Sequence, residues 1–520
     1  MRSNLISIVN DYFCERAEED TSIGLTGIEK ESLRITSDGK RISQQPHPKL
    51  LGSALANKYI TTDFCEAQLE VITLPEKNAK NSLDFLDDIH HFISCKIDKE
   101  LLWPFSIPPD IEKEADIGIA AYGYSNMGVL KRVYRNGLSN RYGRMMQSIS
   151  GVHYNFSLSD DLIEHISESI KAYTPQAIRS ELYFSILRNI NRMNWLILYL
   201  FGASPIITKG LIEHDKQSFQ QLDKSTYFLP HATSLRMSEY GYRNLSQADI
   251  KISLNTIDSY ISDLMKATST NNKKFENISK GTHKEMQQLN SNTLQIEDEY
   301  YAVARAKSSD ITERRSIFKL RDLGVDFIEY RGLDLNPFSR VGIDEETCHF
   351  LELFFTFCLL KDSKPLSDSE TNNCLENDLL VAKQGRDPKI RLKKDGNTIY
   401  LKDWAKELLD QMIVMLDLNT KKSQEAKYII NKMRKRVDDS NQTTSGKLFN
   451  KIESSNIDYY DLGKSIADKN KEYYSTISEG ENANWKLLED ETKLSLDQQE
   501  QLEKKQRQSF EDYLNEYLSN

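Results

Sequence analysis

Apolar and polar residues alternate with a period of two in five stretches of the chain: 27–36, 64–73, 151–158, 289–296 and 325–335. Successive side chains of a strand point to opposite faces, so each stretch predicts a strand with one apolar and one polar side. A longer period governs much of the rest. Apolar residues recur three or four apart over 83–95 and 180–200, which predicts helices. The most apolar run, 195–207, contains Gly202, Ser204 and Pro205 and falls short of the roughly 20 residues that span a bilayer, so it predicts a buried helix and its end. Strands separated by long helical stretches, without short βαβ spacing, predict the α+β class with a mixed or antiparallel sheet.

From about residue 361 the character changes. Residues 363–378 are polar and predict a loop. Beyond about residue 458 Lys, Glu, Asp, Asn and Gln dominate, and 488–518 predicts a charged surface helix or helical hairpin. No low-complexity linker divides the chain. The expected organisation is one catalytic unit over 1–520, with a core over about 20–360 and a helical, charged region over about 361–520.

The polar faces of the predicted strands are where chemistry concentrates. Period two puts Glu29 with Glu31, Glu66 with Gln68 and Glu70, His153 with Asn155 and Ser157, and Glu329 with Arg331. Singly, each is ordinary: a solvated face, a salt-bridged ladder, a structural histidine. Together they place carboxylates on several strands, with few lysines among them. Hard cations such as Mg²⁺ want carboxylate oxygens and tolerate one imidazole. Phosphoryl transfer needs such a cation and an arginine on the transferring group. The chain has neither a GxxxxGK[ST] loop nor GxGxxG, so ATP would be held through metal-bridging carboxylates. Spacing alone leaves three readings open: ATP use, a metal-dependent hydrolase, or a function it does not define.

Composition narrows the partners. A formal net charge of −10 does not steer towards phosphate backbones, so no nucleic-acid partner is expected. Residues 1–20 lack the basic-then-apolar layout of a signal peptide. Six cysteines (Cys14, Cys65, Cys95, Cys348, Cys358 and Cys374) lie apart without a CxxC pair, which excludes a zinc ribbon and fits reduced thiols. A cytoplasmic monomer that does not engage a membrane is expected.

The same segments carry a resemblance. Gly-Ile-Glu-Lys-Glu-Ser-Leu-Arg at 27–34, Leu-Gly-Ser-Ala-Leu at 51–55, residues 61–70 and 141–143, and 147–158 with Ile-Ser-Gly-Val-His-Tyr-Asn-Phe-Ser-Leu come first. Tyr-Leu-Phe-Gly-Ala-Ser-Pro at 199–205, Ala-Thr-Ser-Leu-Arg at 232–236, Gly241 with Tyr242, 289–297, and 329–338 ending in Leu-Asp-Leu-Asn-Pro-Phe follow. In these collinear blocks, over about 20–360, the chain closely resembles the proteobacterial-type glutamate–cysteine ligases. The resemblance implies a curved, mostly antiparallel sheet with surrounding helices, related to glutamine synthetase and the guanidino kinases, with the site on the concave sheet face. It implies phosphorylation of the glutamate γ-carboxylate by ATP and attack of the cysteine amine on the γ-glutamyl phosphate. Mg²⁺, with Mn²⁺ as a substitute, is the implied metal, and glutamate, cysteine and ATP are the implied partners.

By position, Glu29, Glu31, Asp63, Glu70, His153 and Glu329 look like the metal ligands. Arg331 looks like the group on the transferring phosphoryl, with Glu29 and Glu329 as its catalytic companions. Arg236 looks like the anchor of the glutamate α-carboxylate, near Gln147 and Ile149. Phe64, Tyr134, Arg135, Tyr242 and Tyr301 look like the cysteine pocket, Arg135 facing the cysteine carboxylate. The segment 302–321 lacks a proline-bearing stretch associated with the family but keeps Arg305 and Lys307. At 520 residues there is no room for the additional ATP-grasp domain of some relatives, so only the first step towards glutathione is expected. The alternatives are a carboxylate-metal hydrolase and an inactive relative that binds a nucleotide or metabolite.

Overall fold

The computed structural model of the chain describes residues 5–15, 23–97, 99–170, 174–212, 215–242, 247, 249–278, 286–416, 421–455, 457–506 and 508–520. Its strands are β1 (Gly24–Thr36), β2 (Ile60–Thr62), β3 (Gln68–Ile72), β4 (Glu100–Leu102), β5 (Val152–Leu158), β6 (Ile206–Thr208), β7 (Gln220–Gln221), β8 (Thr226–Phe228), β9 (Ala304–Lys307), β10 (Phe327–Leu333), β11 (Arg391–Lys394) and β12 (Asn397–Tyr400). The main sheet runs β2-β3-β1-β5-β10-β9, with β4 on the far half of β1, and every pairing in it is antiparallel. This is the α+β sheet the alternation predicts. Arg34, fully buried near the end of β1, donates from Nη1 to both oxygens of Glu100 (2.7 and 2.9 Å) and so locks β4 in place.

One face of the sheet is apolar. Ile28, Val152, Tyr154, Phe156, Ile328 and Tyr330 are buried against the helices Pro175–Phe201 and Glu345–Leu360. The ring of Phe355 meets those of Tyr154, Phe156 and Tyr330 at centroid distances of 5.4 to 5.8 Å. Tyr330 Oη donates to Asn194 Oδ1 (2.6 Å), which satisfies both polar groups beneath the sheet. Helix Pro175–Phe201 starts where Thr174 caps the Ala177 N–H with Pro175 in its first turn, and it ends before Gly202. Both predicted helices lie inside real ones, 83–95 within Ala79–Lys96 and 180–200 within Pro175–Phe201. Among the described residues no helix is long and apolar enough to cross a membrane.

Three expectations are corrected. Residues 289–296 form no strand: the Leu289 N–H and the Asn290 side chain bond to Gln295, and the Asn292 N–H bonds to Asn290 Oδ1. Asn and Gln side chains offer the backbone these local alternatives to a ladder, while Leu289, Leu294 and Ile296 are buried all the same. The stretch 64–73 begins as a turn, closed by Gln68 N–H to Cys65 O, and becomes a strand only at Gln68. Glu66 therefore leaves the polar face, and its carboxylate accepts from the His47 and Ala121 N–H groups (2.7 Å each). Within 363–378, residues from Asp368 onward are helical, because Ser367 caps the helix Asp368–Gln384 by accepting from Glu370 N–H. The C-terminal stretch 488–518 falls in two helices, Trp485–Lys504 and Phe510–Ser519.

Candidate active site

The other face of the sheet is polar, and strand register assembles it. Glu29 stands opposite His153 of β5, Glu31 opposite Glu70 of β3, and Glu329 opposite both Asn155 of β5 and Arg305 of β9. Period two then sets Lys307 beside them, and a register shift after Tyr330 re-aims β10 at Arg331.

At the centre is His153. Its Nδ1 lies 3.0 Å from Glu29 Oε2 and 3.9 Å from Glu329 Oε1, and its Nε2 lies 3.5 Å from Glu31 Oε1. Asn155 Nδ2 donates to Glu29 Oε1 (2.8 Å). Three cations face Glu329: Arg331 at 3.2 Å, Lys307 at 3.7 Å and Arg305 at 3.9 Å.

These contacts split the carboxylates into two kinds. Burial pushes Glu329 up, but Lys307, Arg331, Arg305 and His153 outweigh it and hold its carboxyl well below the ordinary range. Burial also pushes Glu29 up; the hydrogen bond from His153, with help from Asn155, brings it below its usual value in spite of Glu329. Glu31 and Glu70 go the other way. Burial and then the charge of Asp63 raise both, and Glu29 and Glu31 add to the rise at Glu70. Lys307 is raised, first by Glu329, and Arg331 is raised by Tyr242 and Glu329 against its own burial.

A cation fits this donor set. Glu29, His153 and Glu329 each offer one ligand atom, all within 4.8 Å of one another. Among the described residues, His153 Nε2, Glu329 Oε2 and Asn155 Oδ1 are buried without a hydrogen-bond partner, and such groups need a ligand or water. The Glu31–Asp63–Glu70 group is a second concentration of negative charge on the same face.

The cluster separates two cavities. One, of about 460 Å³, is bordered by Glu31, Asp63 and Arg331 and by every residue predicted to touch an amino-acid substrate: Arg236, Gln147, Ile149, Phe64, Tyr134, Arg135, Tyr242 and Tyr301. The other, of about 900 Å³, is bordered by Glu29, Asn155, Ser157, Gly24, Gly27 and Phe327. The predicted residues are thus brought together. Arg331 contacts the Tyr242 hydroxyl, Tyr242 and Tyr301 meet edge to face at 5.3 Å, and Gln147 Nε2 donates to Tyr301 Oη (2.6 Å). Phe64 serves both the cavity wall and a core cluster.

Sequence reasoning gave no role to the group that seats Arg236. Asp334, buried, accepts from Ala203 N–H (2.7 Å), Ser204 Oγ (2.6 Å) and Ser234 Oγ (2.9 Å), and lies 3.8 Å from Arg236. Arg236 Nη2 donates to Arg331 O (3.0 Å). Gly151 leaves room for this, since a Cβ there would sit 2.0 Å from Arg236 Nη2. The signal was present: Asp334, Ser204 and Ser234 all lie in blocks that carry the resemblance. Asn155, Arg305 and Lys307 were likewise visible but unassigned.

An antiparallel sheet whose polar face sets a carboxylate–imidazole cluster and three cations between two cavities defines an enzyme that handles a polyanion beside a second substrate. The sequence model of the glutamate-cysteine ligases matches residues 14–381. The glutamate–cysteine ligase of Pseudomonas fluorescens is 39% identical over 501 residues, covering 95% of this chain and 93% of that one. That of Pseudomonas entomophila is 43% identical over 430 residues, 82% of this chain and 80% of the relative. The crystal structure of a glutamate–cysteine ligase from Francisella tularensis in complex with AMP superposes with a TM-score of 0.89 at 34% identity, over 96% of this chain and 98% of that one. A bifunctional glutathione synthetase from Pasteurella multocida shares the fold (TM-score 0.68, 24% identity, 90% of this chain, 54% of that one). The chain belongs to the glutamate–cysteine ligase family. Its reaction is the ATP-dependent synthesis of γ-glutamylcysteine, the first step of glutathione biosynthesis.

Proposed function

We propose that Glu29, His153 and Glu329, with Glu31, Asp63 and Glu70 beside them, hold Mg²⁺, or Mn²⁺ in its place, and that phosphoryl transfer occurs across this cluster. Bound there, Mg²⁺ neutralises the polyphosphate of ATP, so that a carboxylate can approach it. The larger cavity takes the nucleoside; the AMP complex of the Francisella relative supports a nucleotide on this fold. Arg236, seated by Asp334, pairs with the α-carboxylate of glutamate and turns its γ-carboxylate towards Arg331. A γ-carboxylate oxygen attacks the γ-phosphorus, the bond from that phosphorus to the bridging oxygen breaks, and ADP leaves. Arg331 stabilises the charge spread over the transferring group.

The acyl phosphate formed is open to hydrolysis, so the walls that exclude water matter. Tyr134, Tyr242, Tyr301 and Phe64 form an apolar pocket for the cysteine side chain, and Arg135 holds its carboxylate. The cysteine nitrogen attacks the acyl carbon, the carbon–oxygen bond to phosphate breaks, and phosphate leaves with that oxygen and the amine proton. One chain supplies both cavities, and the working form is taken to be a cytoplasmic monomer.

The observation that carries this reading is the position of the cluster between the two cavities, with Glu29 on one side and Glu31 and Arg331 on the other. Phosphate release measured with glutamate, cysteine, ATP and Mg²⁺, each omitted in turn, tests it. Release requires all four, and Glu29→Gln, Glu329→Gln and Arg331→Ala each abolish it while the circular dichroism spectrum stays that of the parent. Near-native turnover in all three would refute the assignment.

A further inference from the structure

The cavity that holds Tyr134 and Arg135 has a wall with no assigned role. Tyr513 and Tyr517, on the helix Phe510–Ser519, border it. Their rings stack with centroids 6.5 Å apart and 16° between planes, and Tyr513 Oη donates to Glu313 Oε2 (3.2 Å) on the same rim.

The helix is built into this place. Phe510 and Leu514 pack on Leu130 and Val133 of the helix Asn126–Tyr142, the one that carries Tyr134 and Arg135, and Tyr134 itself touches this apolar cluster. Polar contacts fasten both ends. Asn126 Nδ2 donates to Gln508 O (3.2 Å) and Gln506 Nε2 to Asn126 Oδ1 (2.8 Å). At the far end Arg315 donates from Nη1 to Leu518 O (3.0 Å) and from its backbone N–H to Asn520 O (3.3 Å). The same guanidinium grips Glu297 Oε2 through two donors at 2.9 and 3.0 Å. Glu297 lies just before Glu299, whose carboxylate accepts from Tyr142 Oη (2.6 Å) and Arg141 (2.9 Å). The helix is therefore tied to both segments that shape the pocket, the one bearing Tyr134 and the one leading to Tyr301.

We propose that the helix Phe510–Ser519 is part of the acceptor amino-acid site: the stacked Tyr513 and Tyr517 close its outer wall and limit the side-chain length it admits. This rests on the reading of Tyr134 and Arg135 as the acceptor pocket. Stacked rings with few torsions make a stiff wall, and a fitted apolar wall discriminates a single methylene by about 10- to 200-fold.

The test is steady-state kinetics of the full chain with cysteine, 2-aminobutyrate or norvaline as acceptor. Tyr513→Ala and Tyr517→Ala are expected to raise KM for cysteine by about tenfold. They should also shift the norvaline-to-cysteine ratio of kcat/KM by a similar factor towards norvaline, with KM for ATP within about twofold of the parent. Tyr517→Phe, which keeps the ring, recovers the selectivity, whereas Tyr517→Trp narrows the cavity and shifts the ratio towards cysteine. Folded alanine and tryptophan variants with an unchanged ratio, or KM values for cysteine and ATP that rise together, would overturn the proposal. Arg135→Ala separates the two readings: a cysteine KM that rises there but not in the tyrosine variants overturns this inference alone, and one unmoved in all of them overturns the acceptor pocket with it.

Discussion

Glu31 and Glu70 face each other across β1 and β3 with Asp63 close by, and among the described residues no lysine or arginine forms an ion pair with either, as Lys307, Arg331 and Arg305 do with Glu329. Like charges directly opposed in a sheet destabilise it, so the arrangement costs stability that a divalent ion, bound as proposed above, would offset. The sign follows from the direction of the shifts. A carboxyl raised in the fold favours the folded state below its unfolded pKa, and that contribution is lost as pH rises through the raised value. Metal-free protein should therefore gain stability from Glu31 and Glu70 on acidification from neutral pH. Glu29 and Glu329, lowered in the fold, contribute above their unfolded value and lose it only as pH falls through the depressed one. Glu70→Gln is expected to raise the Tm of the metal-free protein at neutral pH by a few degrees, on the order of 1 kcal/mol. The gap to the parent closes as the pH falls towards the ordinary carboxyl value of 4.5, and the rise in Tm that Mg²⁺ gives the parent is lost. Thermal melts in chelator and in Mg²⁺ check this; a lower Tm for the variant in chelator would contradict it.

At the scale of elements, the ladder does the arranging. Because β1, β5 and β10 keep register, carboxylates and histidine far apart in sequence meet on one face while Tyr154 and Tyr330 fall on the other. Tyr330→Phe removes the donor to Asn194 under the site and is expected to cost about 1–2 kcal/mol in urea unfolding, with KM values little changed. Asp334→Asn loosens the seat of Arg236 and is expected to raise KM for glutamate about tenfold, with a smaller effect on KM for ATP, as kinetics with each substrate varied would reveal.

Four of the five predicted strands were legible because their alternation reports burial on one face only. The fifth, 289–296, alternates for another reason: its leucines and isoleucine are buried while Asn290, Asn292 and Gln295 bond locally. Period alone does not separate these cases. Glu66 failed similarly, as the turn that precedes Gln68 is closed by backbone bonds that no side-chain pattern announces.

At the scale of the whole molecule, the site is legible in sequence as a list of residues but not as a partition. That Glu29 borders one cavity and Glu31 the other follows only from where the strand register sets the cluster on the polar face, between the two. The charged C-terminal region reads as solvated helix, yet Phe510 is fully buried and Tyr517 borders the cavity lined by Tyr134 and Arg135; those contacts join residues far apart in the chain, beyond the reach of a local pattern. The central claim is that this partition passes a phosphoryl group from ATP to the γ-carboxylate of glutamate. The most direct measurement uses glutamate labelled with ¹⁸O in its γ-carboxylate, with cysteine, ATP and Mg²⁺ present, and mass analysis of the phosphate released. The account predicts one labelled oxygen in each phosphate from the parent chain and no labelled phosphate from Arg331→Ala. Unlabelled phosphate from an active parent would contradict it.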